Sequence, residues 1–155
     1  MRIAGGYAWR VAGGVVQIAI APEESALPGI VEEIDVTEEG VVGDRYGDSG
    51  DLTLIEAEAL EGLRADTGIE LSHEESRRQV LTRGIGLNEL VGRHFTVGEV
   101  ECVGREWCEP CAHLQALTRP GVLRGLVHRA GLRADIVRPG RIAAGDGVGI
   151  VREHG

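Results

Sequence analysis

The sequence predicts a mixed α/β, mainly β domain: a strongly bent sheet or β-barrel carrying two or three short helices. Three observations point there. β-branched apolar runs of strand length recur along the chain and are broken by glycine, proline or acidic turns. The 155 residues include 24 glycines but only one Phe, two Trp and two Tyr, a composition suited to tight curvature. Helical spacing is confined to three short segments. The length fits one domain with one core, placed over residues 15–151, with a loose lead-in over 1–14 and a tail over 152–155.

Val15 to Ala21 (VVQIAIA), closed by Pro22, reads as a buried strand, and Val31 to Val36 as a second one before the turn Glu38–Gly40. Val41 to Gly50 (VVGDRYGDSG) has glycines at 43, 47 and 50, so it reads as a loop that can aim Asp44 and Arg45 at a site. Leu52 to Ile55 is a strand leading into a helix over 56–66, which Gly68 caps. Ser72 to Glu75 has the form of a capping box, although a loop into a strand is equally compatible. If Arg77 to Arg83 (RRQVLTR) is extended, Arg77, Gln79, Leu81 and Arg83 share one face, and two arginines with an amide suit an anion. Phe95–Val97 and Val100–Val103 form a hairpin with Cys102 as a small core residue. Pro110 opens a helix to Leu117, and a second helix runs from Gly121 to Ala130. Ala134–Val137 and Val148–Val151 close the sheet.

Net charge is −9, which argues against nucleic-acid binding. The distribution is uneven. Residues 1–75 hold 4 Arg against 17 acids, net −13, whereas residues 76–155 hold 12 Arg against 8 acids, net +4. All sixteen basic residues are Arg, so a Schiff base, an internal aldimine with pyridoxal phosphate and a P-loop lysine are excluded. Arginine still suits bidentate capture of phosphate or carboxylate. Three cysteines and no apolar run near the ~20 residues that span a bilayer predict a cytoplasmic protein away from membranes.

The most reactive stretch is Trp107 to Leu114, WCEPCAHL, in the basic half. Besides plain packing, it admits a thioredoxin-like dithiol, part of a zinc site, or a single nucleophilic or sulfur-carrying thiol. Only 44 residues follow Cys111, too few for the rest of a thioredoxin domain. Zinc would need His128 or Cys102 to complete a set begun by Cys108, Cys111 and His113. A thiolate is favoured by nearby Arg and by a helix N-terminus, and Cys111 follows Pro110 in the half that holds Arg77, Arg78, Arg83 and Arg105.

Read together, GVVGDR (40–45), LTLIEAEALEGL (52–63), RRQVLTRGIGLNELVGRHFTVGEVECVG (77–104), EPCAHL (109–114) and GRIAAGDGVGI (140–150) resemble the MOSC domain, the module similar to the C-terminal domain of molybdenum cofactor sulfurases. The resemblance spans roughly residues 15–151. It implies a mixed β-barrel, binding of molybdenum cofactor (molybdopterin), and a cysteine that carries sulfur as a persulfide or touches molybdenum. The family cysteine falls on Cys111. The family's arginine and asparagine fall on Arg77 and position 79, which here is Gln79. Asp44 and Arg45 match its early Gly-Asp-Arg-like loop, and Arg77, Arg78 and Arg83 are the arginines that would clamp the pterin phosphate. His113 is either a proton donor or a packing residue, and Cys108 either resolves a persulfide or is a small buried neighbour. The implied partners are a cysteine desulfurase-like sulfur donor and a molybdoenzyme acceptor; pyridoxal phosphate does not fit a chain without lysine. Two alternatives stay open: a non-covalent binding or chaperone module, and a molybdenum-dependent reductase component with Cys111 as metal ligand.

Overall fold

The computed structural model describes residues 2–4, 7–23, 26–45 and 47–151. Strand β1 (Arg2–Ala4) pairs with β2 (Tyr7–Ile20), a 14-residue strand that continues far upstream of the predicted start at Val15. The lead-in expected over 1–14 is therefore wrong for residues 7–14. The Gly13–Gly14 pair masks the strand in the sequence, yet glycine is what the bend needs. A Cβ at Gly13 would lie 2.7 Å from the Arg83 carbonyl oxygen.

After β2 come β3 (Gly29–Val31), β4 (Glu33–Thr37) and β5 (Gly40–Val41). Next are β6 (Asp51–Glu56), α1 (Ala57–Thr67), α2 (His73–Ser76) and β7 (Val80–Arg83). A 3₁₀ turn (Leu87–Leu90) leads to the hairpin β8 (His94–Val97) and β9 (Val100–Trp107). Helices α3 (Ala112–Leu117) and α4 (Val122–Gly125) precede β10 (Leu132–Arg138), β11 (Gly140–Ala143) and β12 (Gly147–Val151). The described residues thus hold four short α-helices where two or three were expected.

Seven strands close on themselves in the order β2, β12, β8, β9, β10, β6, β7 and back to β2. Only the β6–β7 pair is parallel, and α1 and α2 make that crossover. A small sheet of β11, β4 and β5 lies beside the barrel. The interior is filled by inward side chains such as Ile18, Leu54, Val80, Phe95, Leu132 and Val148, all fully buried. Burying each large one stabilises the barrel by about 1.5–3 kcal/mol.

A second cluster, Leu63, Leu71, Leu114, Val122, Leu126 and Ala130, fastens α1, α3 and α4 to one another. This cluster positions the segment after Trp107. Gly68 caps α1 in the left-handed region at φ 77°, and the Ser72–Glu75 capping box is formed in both directions. The predicted helix at Pro110 begins two residues later, with Cys111 as its N-cap, and the second helix is cut to Val122–Gly125. No helix among the described residues is long and apolar enough to cross a membrane.

Candidate functional site

Three distant segments meet around one cavity of about 390 Å³: Asp44–Arg45 after β5, Arg77–Gln79 before β7, and Glu106–Leu114 after the main length of β9. Eight of the nine residues singled out from sequence line it: Asp44, Arg45, Arg77, Arg78, Gln79, Cys108, Cys111 and His113. Arg83 does not. The turn 77–79 is not extended, because Arg77 is the left-handed C-cap of α2 at φ 63°. The shared face predicted for Arg77 to Arg83 therefore breaks at the start of β7. Leu81 and Arg83 look outward onto α1, where Arg83 pairs with Glu61.

A buried polar knot holds the floor. Asp44 Oδ1 accepts from the Ala21 amide at 2.9 Å, and Oδ2 accepts from Gln79 Nε2 at 2.9 Å. Gln79 Oε1 accepts from the Thr53 amide at 2.8 Å, so the Gln79 side chain joins the 44–45 loop to β6. It shapes the pocket while its amide is engaged at both ends.

The arginines are held mainly through carbonyls. Arg45 Nη2 donates to the Arg77 carbonyl at 3.2 Å, and Arg77 Nη2 to the Ala26 carbonyl at 2.8 Å. Arg78 donates from Nε to Ala130 O at 2.8 Å, from Nη1 to Ser76 O at 3.3 Å and from Nη2 to Cys108 O at 3.5 Å. Among the described residues no carboxylate pairs with Arg78. Burial lowers the pKa of its guanidinium, and the thiolate forms of Cys108 and Cys111 oppose that shift. Beneath it, His73 Nε2 meets the Arg78 carbonyl at 2.8 Å while Nδ1 accepts from Gln17 Nε2 at 3.1 Å. That arrangement assigns a neutral ring protonated on Nε2, and burial pulls the His73 pKa down.

The three cysteines are separated by environment. Cys102 is in the barrel core, and burial pushes its thiol far up. Cys108 is 6% exposed, and burial raises its pKa against the opposing pull of Arg78 and Arg133. Cys111 is exposed at the N-cap of α3. His113, in the first turn of α3, is exposed at the cavity rather than packed.

Arg133 was missed from sequence. It stands on β10 beside Thr53 of β6 and Glu106 of β9, with Nη1 3.2 Å from Asp51 Oδ2. The alternation Leu132, Arg133, Ala134 carried the signal, but the strand predicted from Ala134 started one residue after Arg133. Thr53, Glu106, Trp107, Glu109 and Leu114 complete the lining.

Zinc ligation is not formed: among the described residues no three His, Cys, Asp or Glu side chains gather as a metal-ligand set. Cys102 is inside the barrel, and the His128 ring stands edge-on to Trp107 at 5.4 Å. The closed barrel also removes the thioredoxin-like fold. A larger cavity, about 560 Å³, lies by Trp9, Thr96, Glu99 and Asp146. Size does not make it the site. It has no thiol, and its glycines Gly98 and Gly149 are required by contacts with Asp146 and Thr96.

Comparison with known proteins agrees with this fold. The MOSC domain model matches residues 43–149. The YuaD protein of Bacillus subtilis has a similar fold, with a TM-score of 0.80 at 14% identity over 95% of this chain and 100% of that one. YiiM from Geobacillus stearothermophilus gives 0.67 at 12% identity over 94% and 76% of the two chains. YiiM from Escherichia coli gives 0.67 at 16% identity over 91% and 71%. No curated protein sequence matches significantly. With the family model covering well over half of the chain, including every segment that lines the cavity, the chain belongs to the MOSC domain family.

Proposed function

We propose that the chain binds molybdenum cofactor in the arginine-lined cavity and uses Cys111 to carry sulfur to it. The observation that carries this reading is Arg78, a half-buried cation without a carboxylate partner among the described residues, set in the same cavity as an exposed thiol. A partly buried guanidinium held by carbonyl dipoles keeps its net charge without a counter-ion, so an anionic ligand is its natural complement. The donor set fits a phosphate-bearing, sulfur-rich group: Arg45, Arg77, Arg78 and Arg133 offer N–H donors to the phosphate, and Cys111 offers a soft thiolate. A volume of about 390 Å³ lies within the usual range for small-molecule sites.

When bound, the cofactor would supply molybdenum for sulfur chemistry, with the arginines holding its phosphate and Cys111 the soft donor at the opening. The chain's residues do the rest. The arginines neutralise and orient the phosphate, with Arg78 fixed by three backbone carbonyls. Cys111 attacks the terminal sulfur of a donor hydropersulfide. Its Sγ–S bond forms as the donor S–S bond breaks, the donor leaves as a thiolate, and the proton stays on the transferred sulfur. His113, exposed beside it, exchanges protons with the leaving thiolate. A cysteine desulfurase-like donor and a molybdoenzyme acceptor suit this role.

The test is anaerobic gel filtration of the protein with free molybdenum cofactor, reading molybdenum and oxidised-pterin fluorescence in the protein peak. Wild type is expected to retain the cofactor and Arg78→Met to lose it. Retention that also falls in Cys111→Ala means the thiol contacts the cofactor, whereas equal retention confines Cys111 to sulfur carriage. No retention by wild type overturns the reading.

A further inference from the structure

The second thiol of the motif is left unused by the function just proposed. Cys108 directly follows β9 and lines the same cavity as Cys111, three residues on. Its position is fixed from several sides. The Cys108 amide donates to Gly131 O at 2.8 Å, and its carbonyl accepts from Arg78 Nη2 at 3.5 Å. The intervening Glu109 accepts from the His128 amide at 2.9 Å, while Cys111 starts α3, anchored by buried Leu114. The turn between the two thiols is therefore tethered, with one sulfur in the wall and one at the opening. Gly131 itself cannot be replaced freely: it sits at φ 112°, and a Cβ there would run into the Leu54 carbonyl.

We propose that Cys108 resolves the Cys111 persulfide, so that the pair delivers sulfur into the cavity as sulfide. This rests on the carrier reading above. The Cys108 thiolate attacks Sγ of Cys111, the Cys108–Cys111 disulfide forms, the Sγ–S bond breaks, and hydrosulfide leaves with the electron pair of that bond. The sulfane sulfur is reduced by the two electrons that the dithiol gives up. No outside oxidant is needed. An external thiol reductant, of the kind a reducing compartment holds, returns the disulfide to two thiols for the next cycle.

Burial holds Cys108 mostly as the thiol, with the guanidinium groups of Arg78 and Arg133 acting in the other direction. The wall thiol is thus kept from competing for the donor while the exposed Cys111 meets it first. The same two arginines line the cavity and so offer positive charge to a departing hydrosulfide, an anion. Order of reaction follows from exposure, and direction of delivery from charge.

The experiment treats the reduced full chain with a low-molecular hydropersulfide, removes the donor, and follows intact mass and released sulfide without added thiol. Peptide mapping then locates the bonds. Wild type is expected to gain one sulfur atom on Cys111, lose it as sulfide, and end with a Cys108–Cys111 disulfide, one sulfide per disulfide. Cys108→Ala and Cys108→Ser are expected to take up the sulfur and hold it, with release slowed by at least about tenfold. Wild type that holds its persulfide as long as these variants overturns the resolving role and leaves the carrier reading intact. Failure of wild type to take up sulfur overturns both, and does so at the uptake step. Because the disulfide and sulfide are read in wild type, a poorly folded Cys108 variant does not decide the matter.

Discussion

The two ends of the stretch RRQVLTR put the same side chain to opposite uses. At the outer end, Arg83 is exposed on β7 and closes a two-pronged pair with Glu61 of α1 at 3.0 and 3.1 Å. At the inner end, Arg78 is surrounded by carbonyl oxygens and has no ion-pair partner among the described residues. Their titration moves in opposite directions: Glu61 raises the Arg83 pKa, while burial lowers that of Arg78. A solvated pair has nothing left to offer a ligand. A half-buried cation held only by dipoles does, and this difference is what marks the cavity as the candidate site.

The comparison is broken most forcefully at Asp44, the buried carboxylate that supports the inner end. Its side chain is inaccessible, accepts from the Ala21 amide and from Gln79, and pairs with Arg45. Asp44→Ala removes the acceptor for both donors and leaves the Arg45 charge without that partner. We expect a loss of about 3–5 kcal/mol in urea unfolding. Glu61→Ala at the outer end is expected to leave the urea midpoint where it is, because both members of that pair are open to solvent. Equal effects at the two positions would mean that burial is not what distinguishes them.

Ligand binding sharpens the contrast at the next scale down. Charge-assisted hydrogen bonds from a fixed guanidinium are worth about 1.5–3 kcal/mol, so Arg78→Met should weaken cofactor retention by about tenfold to a hundredfold. Arg83→Met should leave it unchanged. A matching loss in Arg83→Met would place the phosphate on the outer face and sink the assignment of the cavity. Measuring retention at two salt concentrations adds a second reading, since exposed charges are screened more than buried ones.

How much of this was legible in the sequence follows from the same contrast. Strands with alternating or β-branched patterns announced themselves, as did the Ser72–Glu75 cap and the Gly68 stop, because each is a local rule. The closure of the barrel was not local. It depends on β2 turning through Gly13 and Gly14 to meet β12 with one half and β7 with the other, and two adjacent glycines read as a break. Arg83 was misplaced for a related reason. Period-two alternation from Arg77 predicts a shared face, but the left-handed C-cap of α2 resets the direction of the chain before β7 begins. Cys111 stood out by its chemistry. Arg133 did not, since its place at the cavity comes from pairing with β6 and β9 rather than from any residue nearby in sequence.

The finest test uses pH, because one end of the stretch is sensitive to it in a range where the other is not. His73 holds the Arg78 carbonyl and is kept neutral in the folded state, its pKa depressed by burial despite Glu74 and the backbone contacts. The unfolded state therefore binds the proton first. Stability is complete above the ordinary histidine value of about 6.5 and is lost as pH falls from there through the folded-state pKa, by at most about 1.4 kcal/mol per pH unit. His73→Gln can still donate to the Arg78 carbonyl but does not titrate, so its urea stability should be flatter between pH 6.5 and 5. The Arg83–Glu61 pair is indifferent in that window, since Glu61 titrates below its ordinary 4.5. A pH slope that survives unchanged in His73→Gln would show that the ring beneath Arg78 is not the group being charged. Loss of the slope, with Arg83→Met behaving as wild type, would locate the pH-sensitive point at the inner end alone.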